Sequence, residues 1–127
     1  SQFLEQPARV AVIGAGGTGS VLLGGLAQMA DALRELGGQG LEVAVLDDDR
    51  VTKANIGRQA FIASDVGQPK CKVLVNRLNQ YYGLDWRAYD VRLEPDTDWG
   101  YRWRPDIYIG CVDTRSARSA IRSHWME

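Results

Sequence analysis

The chain has 127 residues, enough for one domain with a buried core, and 45% of them are hydrophobic. Its 15 Lys and Arg against 16 Asp and Glu give a formal net charge of −1, which argues against a nucleic-acid or anionic-membrane partner attracted by overall charge. No apolar run approaches the length of a membrane span. The two cysteines, Cys71 and Cys111, are too few for a structural zinc site and poorly spaced for a disulfide framework, so a cytoplasmic setting is expected.

The first half of the chain predicts a strand, a helix and a second strand. Residues 9–13 are β-branched and apolar at almost every position, which is typical of a strand buried on both faces of a parallel sheet. Apolar residues then recur at helical spacing over 20–36, and Gly37 provides a stop. A second buried strand is predicted over 41–47, which completes a βαβ unit.

The second half continues the alternation. A helix is predicted to begin after Pro69 and to end at Gly83. Strands are predicted over 86–92 and 107–111, and a short basic helix over 114–124. We therefore expect a Rossmann-like α/β fold, a doubly wound and mostly parallel sheet with helices on both faces and ligands at the carboxyl ends of the strands.

A glycine-rich turn links the first predicted strand to the first helix. Gly14, Gly16 and Gly19 match the spacing G-x-G-x-x-G, with Gly17 between them. Without Cβ atoms, such residues let backbone N–H groups and the positive helix end approach a phosphate. The pattern predicts a nucleotide site, although a tight strand-to-helix turn with no ligand also fits it.

Three consecutive acidic residues follow the second predicted strand. Asp47 stands where a carboxylate can accept hydrogen bonds from ribose hydroxyls, and Asp49 is the second candidate. A solvated acidic turn is the alternative interpretation.

The segment Asn55 to Phe61 reads NIGRQAF and is typical of neither a core strand nor an ordinary solvated loop. It follows the second strand and therefore faces the same sheet edge as the glycine turn. Arg58 can grip phosphate oxygens through two parallel charge-assisted bonds, with neutral hydrogen bonds from Asn55 and Gln59 beside it. Lys70, near the start of the next helix, adds a point charge. A surface salt bridge would be the ordinary role of an isolated arginine.

Asp113 follows the last predicted strand, again at a carboxyl end. Mg²⁺ on a triphosphate takes one or two protein oxygens, so this carboxylate is a candidate metal ligand. It fits equally well as the N-cap of the helix that begins near Thr114.

Four ordered motifs together resemble a known superfamily. They read GAGGTGS, LDDDRVTKANIGRQAF, DVGQPKCKVLVNRLN and IGCVDTRSARSAIR, and they cover the chain from Val10 to Arg122. The combination resembles the ThiF/MoeB/HesA superfamily, the ubiquitin-activating-type adenylyltransferases. Within that superfamily the wording is most similar to the ThiF family protein of the PRTRC plasmid-associated system.

The resemblance implies one nucleotide-binding adenylation domain over residues 1–127, as the N-terminal portion of a longer family fold. It implies ATP and Mg²⁺ as cofactors, a homodimer, and adenylation of the C-terminal carboxylate of a small ubiquitin-like protein. The carried-over catalytic residues are Arg58, Lys70 and Asp113, with Asp113 as the metal ligand. The carried-over nucleotide-binding residues are Gly14, Gly16, Gly19, Asp47, Asn55, Arg58, Gln59 and Lys70, and position in the sequence adds Gly17 and Asp49 to the predicted set.

Two other functions are compatible with parts of the sequence. A dinucleotide oxidoreductase would also use the glycine turn and Asp47, but has no use for Arg58, Lys70 and Asp113 together. A non-catalytic scaffold could keep the fold in order to bind a partner. The run over 99–104, with aromatic residues alternating with Gly and Arg, fits a protein contact, a dimer surface or an ordinary covered loop better than single-stranded nucleic acid.

Overall fold

A computed structural model describes residues 6–14, 16–57, 61–93 and 103–111. Its centre is a sheet of four strands in the spatial order β3-β2-β1-β4, and every neighbouring pair is parallel. The strands are β1 (Ala8–Ile13), β2 (Leu41–Leu46), β3 (Arg87–Tyr89) and β4 (Ile107–Gly110). The chain moves outward from β1 to β3 on one side and then returns to add β4 on the other side of β1.

Two helices connect the strands. Helix α1 (Gly17–Glu35) links β1 to β2 and begins three residues earlier than its apolar spacing predicts, because the glycine turn already forms its first turn. Helix α2 (Lys70–Tyr82) precedes β3 and ends as predicted at Gly83, whose φ of 65° is the left-handed conformation that glycine adopts easily. β3 is shorter than predicted, since only three residues of the predicted 86–92 pair with β2.

The main core lies between one face of the sheet and both helices. Alternate residues of the two central strands point to this face, and they pack with residues of α1 and α2. The strand residues are Val10, Val12, Val43 and Val45. On the opposite face, Ala11, Ile13 and Leu46 pack with Leu93 and Tyr108. Burial on both faces explains why β1 and β2 read as continuous apolar runs.

The expected fold class, an α/β Rossmann-like and mostly parallel sheet, is confirmed. The helix predicted over 114–124 lies outside the described residues. In the part of the chain that is described, no helix combines the length and hydropathy that crossing a membrane requires.

The glycine turn is held by a close approach of α1 to the end of β1. A Cβ atom on Gly19 would lie 2.7 Å from the carbonyl oxygen of Gly14 and 3.7 Å from the Cβ of Cys111. The first of these distances is shorter than any real contact, and its partner is backbone that cannot rotate away. Glycine at position 19 is therefore required for the helix to start against the sheet.

This contact yields a matched pair of glycine substitutions. Gly19→Ala is expected to lower the free energy of unfolding by about 1–3 kcal/mol, because the methyl group forces α1 away from β1. Gly25→Ala in the same helix meets nothing within 4 Å and is expected to raise it by about 1 kcal/mol. Urea unfolding followed by circular dichroism measures both changes. Equal effects of the two substitutions would contradict the close-approach explanation.

Candidate nucleotide site

The carboxyl ends of the four parallel strands meet at one edge of the sheet. β1 leads into the glycine turn, β2 into Asp47, β3 into Asp90 and β4 into Cys111. The chain direction across the sheet reverses between β1 and β4, and ligands of open α/β sheets bind in the crevice at such a point. The topology therefore brings the predicted site residues that follow different strands to one edge.

The glycine turn is tied directly to the neighbouring strand. The N–H of Gly14 donates to the carbonyl oxygen of Leu46 at 2.8 Å, and Gly14 has a φ of 105° that other residues rarely adopt. Gly16 is the N-cap of α1, and its carbonyl accepts the Ser20 N–H at 2.8 Å. The first N–H groups of α1 have no partner within the helix, so they form its positive end. Because Gly14 is bonded to Leu46, this end lies beside the end of β2.

Asp47 is a buried carboxylate with unused hydrogen-bonding capacity. Its side chain is almost fully buried, and its Oδ2 atom has no hydrogen-bond partner among the described residues. Burial, and then the negative charge of Asp49, raise the pKa of Asp47 to about 6. A hydrogen bond from the Asp49 backbone and the positive charge of Lys70 act in the opposite direction. A group able to donate a hydrogen bond to Oδ2 would therefore find a ready acceptor.

Lys70 lies close enough to Asp47 for its charge to act on that carboxylate. It is also buried, and within the described ranges its ammonium group has no hydrogen-bond or ion-pair acceptor of its own. Its backbone N–H donates to the carbonyl oxygen of Asp49 at 3.0 Å, next to a bridge between Arg50 and Pro69. These backbone contacts, rather than proximity in sequence, bring the start of α2 to the end of β2.

The other two acidic residues of the cluster are exposed. One carboxylate oxygen from each of Asp47, Asp48 and Asp49 can lie within 4.8 Å of the others. Asp48 is partly neutralised by Arg92, whose Nε is 3.5 Å from its Oδ2. Asp49 contributes its backbone to the site, whereas its side chain faces solvent.

The loop after β2 contains the predicted arginine and its two amide neighbours. The side-chain oxygen of Asn55 accepts hydrogen bonds from the N–H of Thr52 at 2.8 Å and from its hydroxyl at 3.1 Å. Asn55 thus closes a single 3₁₀ turn, Lys53–Asn55. Arg58 and Gln59 lie outside the described residues, between Ile56 and Phe61, which form an isolated bridge.

A partly buried salt bridge braces the loop from its far end. Asp65 accepts the N–H of Ile62 at 2.8 Å and pairs with Arg77 of α2 through both carboxylate oxygens, at 2.8 and 2.7 Å. The backbone hydrogen bond, followed by that of Arg77, keeps the pKa of Asp65 below its ordinary value. Phe61 is buried in the main core, so this part of the loop is fixed against α2.

Both cysteines have thiols that are poor nucleophiles. Burial raises the pKa of Cys71 to about 11, and its Sγ is 3.5 Å from the carbonyl oxygens of Asp47 and Tyr89. Cys71 lies on α2 and packs in the main core. Cys111 is only partly buried, and burial raises its pKa as well.

Two further predicted features fall wholly or partly outside the described residues. Asp113 does so entirely. Of the aromatic and arginine run over 99–104, only Trp103 and Arg104 are described. The Trp103 indole donates to Glu42 at 3.0 Å and lines a groove of about 530 Å³ at the amino edge of the sheet. This groove lies at the opposite end of the strands from the glycine turn.

The structure also adds residues that the sequence did not single out. Arg50 donates to the carbonyl oxygen of Gly67 at 3.2 Å and to Asp90 at 3.0 Å, so it joins the loop to the end of β3. The hydroxyl of Ser20 is buried and has no hydrogen-bond partner in the described part of the chain. Ser20 directly follows the glycine pattern, and that adjacency was the only signal available in the sequence.

Residues 4–125 match the ThiF family. The chain belongs to the ThiF family. It is 30% identical over 117 residues to the adenylyltransferase and sulfurtransferase UBA4 of Yarrowia lipolytica, an alignment that covers 89% of this chain and 26% of that protein.

Solved structures show the same relationship. The E. coli tRNA N6-threonylcarbamoyladenosine dehydratase TcdA superposes with a TM-score of 0.65 at 26% identity, over 91% of this chain and 46% of the other. Its complex with ATP gives a TM-score of 0.62 at 26% identity over 90% and 44%, and its complex with AMP a TM-score of 0.62 at 26% identity over 91% and 44%. The ThiF chain described here therefore spans less than half the length of these relatives.

The buried carboxylate gives a pH-dependent prediction. Because the pKa of Asp47 in the folded protein, about 6, exceeds the ordinary value near 4, ionisation of this carboxyl destabilises the fold. The loss of stability develops as pH rises from about 4 to about 6 and stays constant above that range. Asp47→Asn is expected to raise the free energy of unfolding at pH 7.5 by on the order of 1–3 kcal/mol. Urea titrations from pH 4.5 to 7.5 measure this gain, which should shrink toward the acid end. A gain independent of pH would contradict it.

The salt bridge of the loop gives a prediction of opposite sign. Asp65→Asn is expected to lower the urea midpoint at pH 7, and the difference from the wild type should vanish as pH falls through the lowered pKa of Asp65. The control is Asp31→Asn, which breaks an exposed pair with Arg34 at 3.9 Å and should change stability by well under about 1 kcal/mol. A midpoint for Asp65→Asn as high as that of the control would show that the bridge does not brace the loop.

Proposed function

We propose that this chain is the ATP-binding adenylation domain of an enzyme that activates the C-terminal carboxylate of a small ubiquitin-like protein. The observation that carries the proposal is a pair of opposite charges beside the glycine turn, Asp47 at 7% exposure and Lys70 at 9%. Burying charges is costly unless they gain partners, and strongly perturbed groups at a cleft mark functional sites. A nucleotide offers hydroxyl donors to Asp47 and phosphate oxygens to Lys70.

Different site residues bind different parts of the nucleotide. Asp47 accepts hydrogen bonds from the ribose, and the glycine turn with the N-terminus of α1 holds a phosphate. Lys70 and Arg58 neutralise the triphosphate, with Asn55 and Gln59 beside Arg58. The structures of TcdA with ATP and with AMP support a nucleotide as the ligand, since that relative binds both.

The reaction is an attack on the α-phosphate. A carboxylate oxygen of the ubiquitin-like protein forms a bond to the α-phosphorus, and the bond from that phosphorus to the bridging oxygen breaks. Pyrophosphate leaves with the electron pair, and the products are an acyl adenylate and pyrophosphate. Because nucleophile, centre and leaving group are all anionic, fixed cations in a pocket shielded from water lower the barrier.

We also propose a magnesium requirement. Asp113, which lies outside the described residues, is the proposed ligand, and bound Mg²⁺ would supply charge neutralisation on the leaving pyrophosphate. From the family resemblance we also propose a homodimer, a place in the PRTRC subfamily and the N-terminal portion of a longer family fold. The proposed cytoplasmic location rests instead on the sparse cysteines. The name of UBA4, an adenylyltransferase, supports the reaction class.

The relatives also suggest a different substrate for the same chemistry. TcdA is named as a tRNA N6-threonylcarbamoyladenosine dehydratase, so its named substrate is an RNA rather than a protein. The formal charge of −1 here offers no overall attraction to RNA, so we favour a protein substrate.

The test is ATP–pyrophosphate exchange by the full chain with a candidate ubiquitin-like protein and Mg²⁺. Lys70→Ala and Arg58→Ala are each expected to reduce exchange by about 10²-fold, because each removes a cation from the transition state. Lys72→Ala is the matched control, since Lys72 is an exposed lysine on the same helix. Calorimetry with ATP and NAD, each with and without Mg²⁺, accompanies the assay.

Each rival function has its own outcome. Tight NAD binding that is indifferent to Mg²⁺ would replace adenylation with a dinucleotide-dependent function. Binding of the protein partner without exchange, unchanged by Arg58→Ala or Asp113→Ala, would identify a scaffold. Exchange supported by tRNA and not by protein would identify RNA as the substrate.

A further inference from the structure

The hydroxyl of Ser20 is a buried polar group that the proposed mechanism does not use. Its Oγ is inaccessible to solvent and has no hydrogen-bond partner among the described residues, although part of the residue is exposed. Buried polar atoms of proteins are nearly always satisfied, so an unsatisfied hydroxyl needs an explanation. Leaving it unpaired costs free energy that an alanine would not.

The helix itself does not satisfy this hydroxyl. A helical serine commonly donates to the carbonyl one turn earlier, which here is that of Gly16. The Gly16 carbonyl accepts the Ser20 N–H at 2.8 Å, and the hydroxyl makes no bond to it. The donor of Ser20 therefore remains available.

Helix geometry predicts that the side chain of Ser20 leans toward the glycine turn. Side chains of an α-helix lean toward its N-terminus, so a residue covers the turn that precedes it. For Ser20 that turn is Gly16–Gly17, where the helix presents unpaired N–H groups and the positive end of its dipole. An anion bound at this end is therefore a candidate partner for the hydroxyl.

A second, independent group marks the same edge of the sheet. The Oδ2 atom of Asp47 is also buried and unpartnered, and its side chain is more than nine-tenths buried. The Gly14 N–H bond to Leu46, the residue before Asp47, joins the two regions at 2.8 Å. One ligand with an anionic part and a hydroxyl-bearing part can satisfy both groups.

We propose that the Ser20 hydroxyl donates a hydrogen bond to the phosphate group of the bound nucleotide, and that Ser20 thereby selects phosphorylated nucleosides over free nucleosides. This inference rests on the proposed function, since it assumes a nucleotide at the glycine turn. Asp47 accepts hydrogen bonds from the ribose, which adenosine, AMP and ATP share. Ser20 donates a hydrogen bond to the phosphate, which adenosine lacks.

The experiment is calorimetric titration of the full chain with adenosine, AMP and ATP. Ser20→Ala is expected to weaken AMP and ATP binding by about tenfold, as for one hydrogen bond to a charged group, and to leave adenosine binding unchanged. Asp47→Asn should weaken all three ligands. Ser64→Ala, at an exposed serine of a 3₁₀ turn, is the control and should change none of them.

Thermal unfolding without ligand separates binding from folding. Ser20→Ala should melt at the wild-type temperature or above it, because it removes a buried unpaired hydroxyl. AMP and ATP affinities within about twofold of the wild type would overturn the inference while leaving the proposed function intact. An equal loss for adenosine would also overturn it. Failure of the wild type to bind any of the three ligands would remove the proposed function and this inference together.

Discussion

The whole edge of the sheet depends on one close contact between α1 and the end of β1. The absence of a side chain at Gly19 lets the helix begin directly above the Gly14 carbonyl, where any Cβ would lie 2.7 Å from that oxygen. The same contact brings the helix end beside Cys111, at the end of β4. Because β1 is central in the sheet, its position fixes where both neighbouring strands end relative to the helix dipole.

A second constraint is electrostatic and works against stability. Asp47 and Lys70 are buried together at this edge, and the raised pKa of Asp47 shows that Lys70 does not fully compensate the carboxylate. A protein selected for stability alone would have little reason to keep such a pair. Binding sites commonly hold groups that only a ligand satisfies, and this cost in the free protein is then part of the affinity for that ligand.

The loop after β2 shows how a site segment can be long and still well anchored. Arg50 ties its beginning to β3, and Asp65 ties its end to Arg77 of α2. Phe61 inserts into the core between these two anchors. Backbone pairing of Val51 with Gly67 and Gln68, at 2.9 Å in both directions, closes the loop at its base. The loop is therefore anchored on both sides of the segment that carries Arg58.

Local sequence patterns determined the elements of this protein, and long-range packing decided how they meet. Apolar runs fixed β1 and β2, helical spacing fixed α1 and α2, and Gly83 fixed the end of α2, because each signal acts within a few residues. The glycine pattern likewise predicted a tight strand-to-helix turn.

What the sequence alone could not give were relations between distant residues. The shortness of β3 follows from how many residues pair with β2, and the burial of Lys70 follows from the backbone bond to Asp49. The Ser20 hydroxyl, which has no partner among the residues that the structure describes, and the raised pKa of Asp47 arise only when separate segments exclude water from the same edge. Desolvation depends on the whole surrounding structure, so only the tertiary structure could distinguish these groups from ordinary solvated side chains.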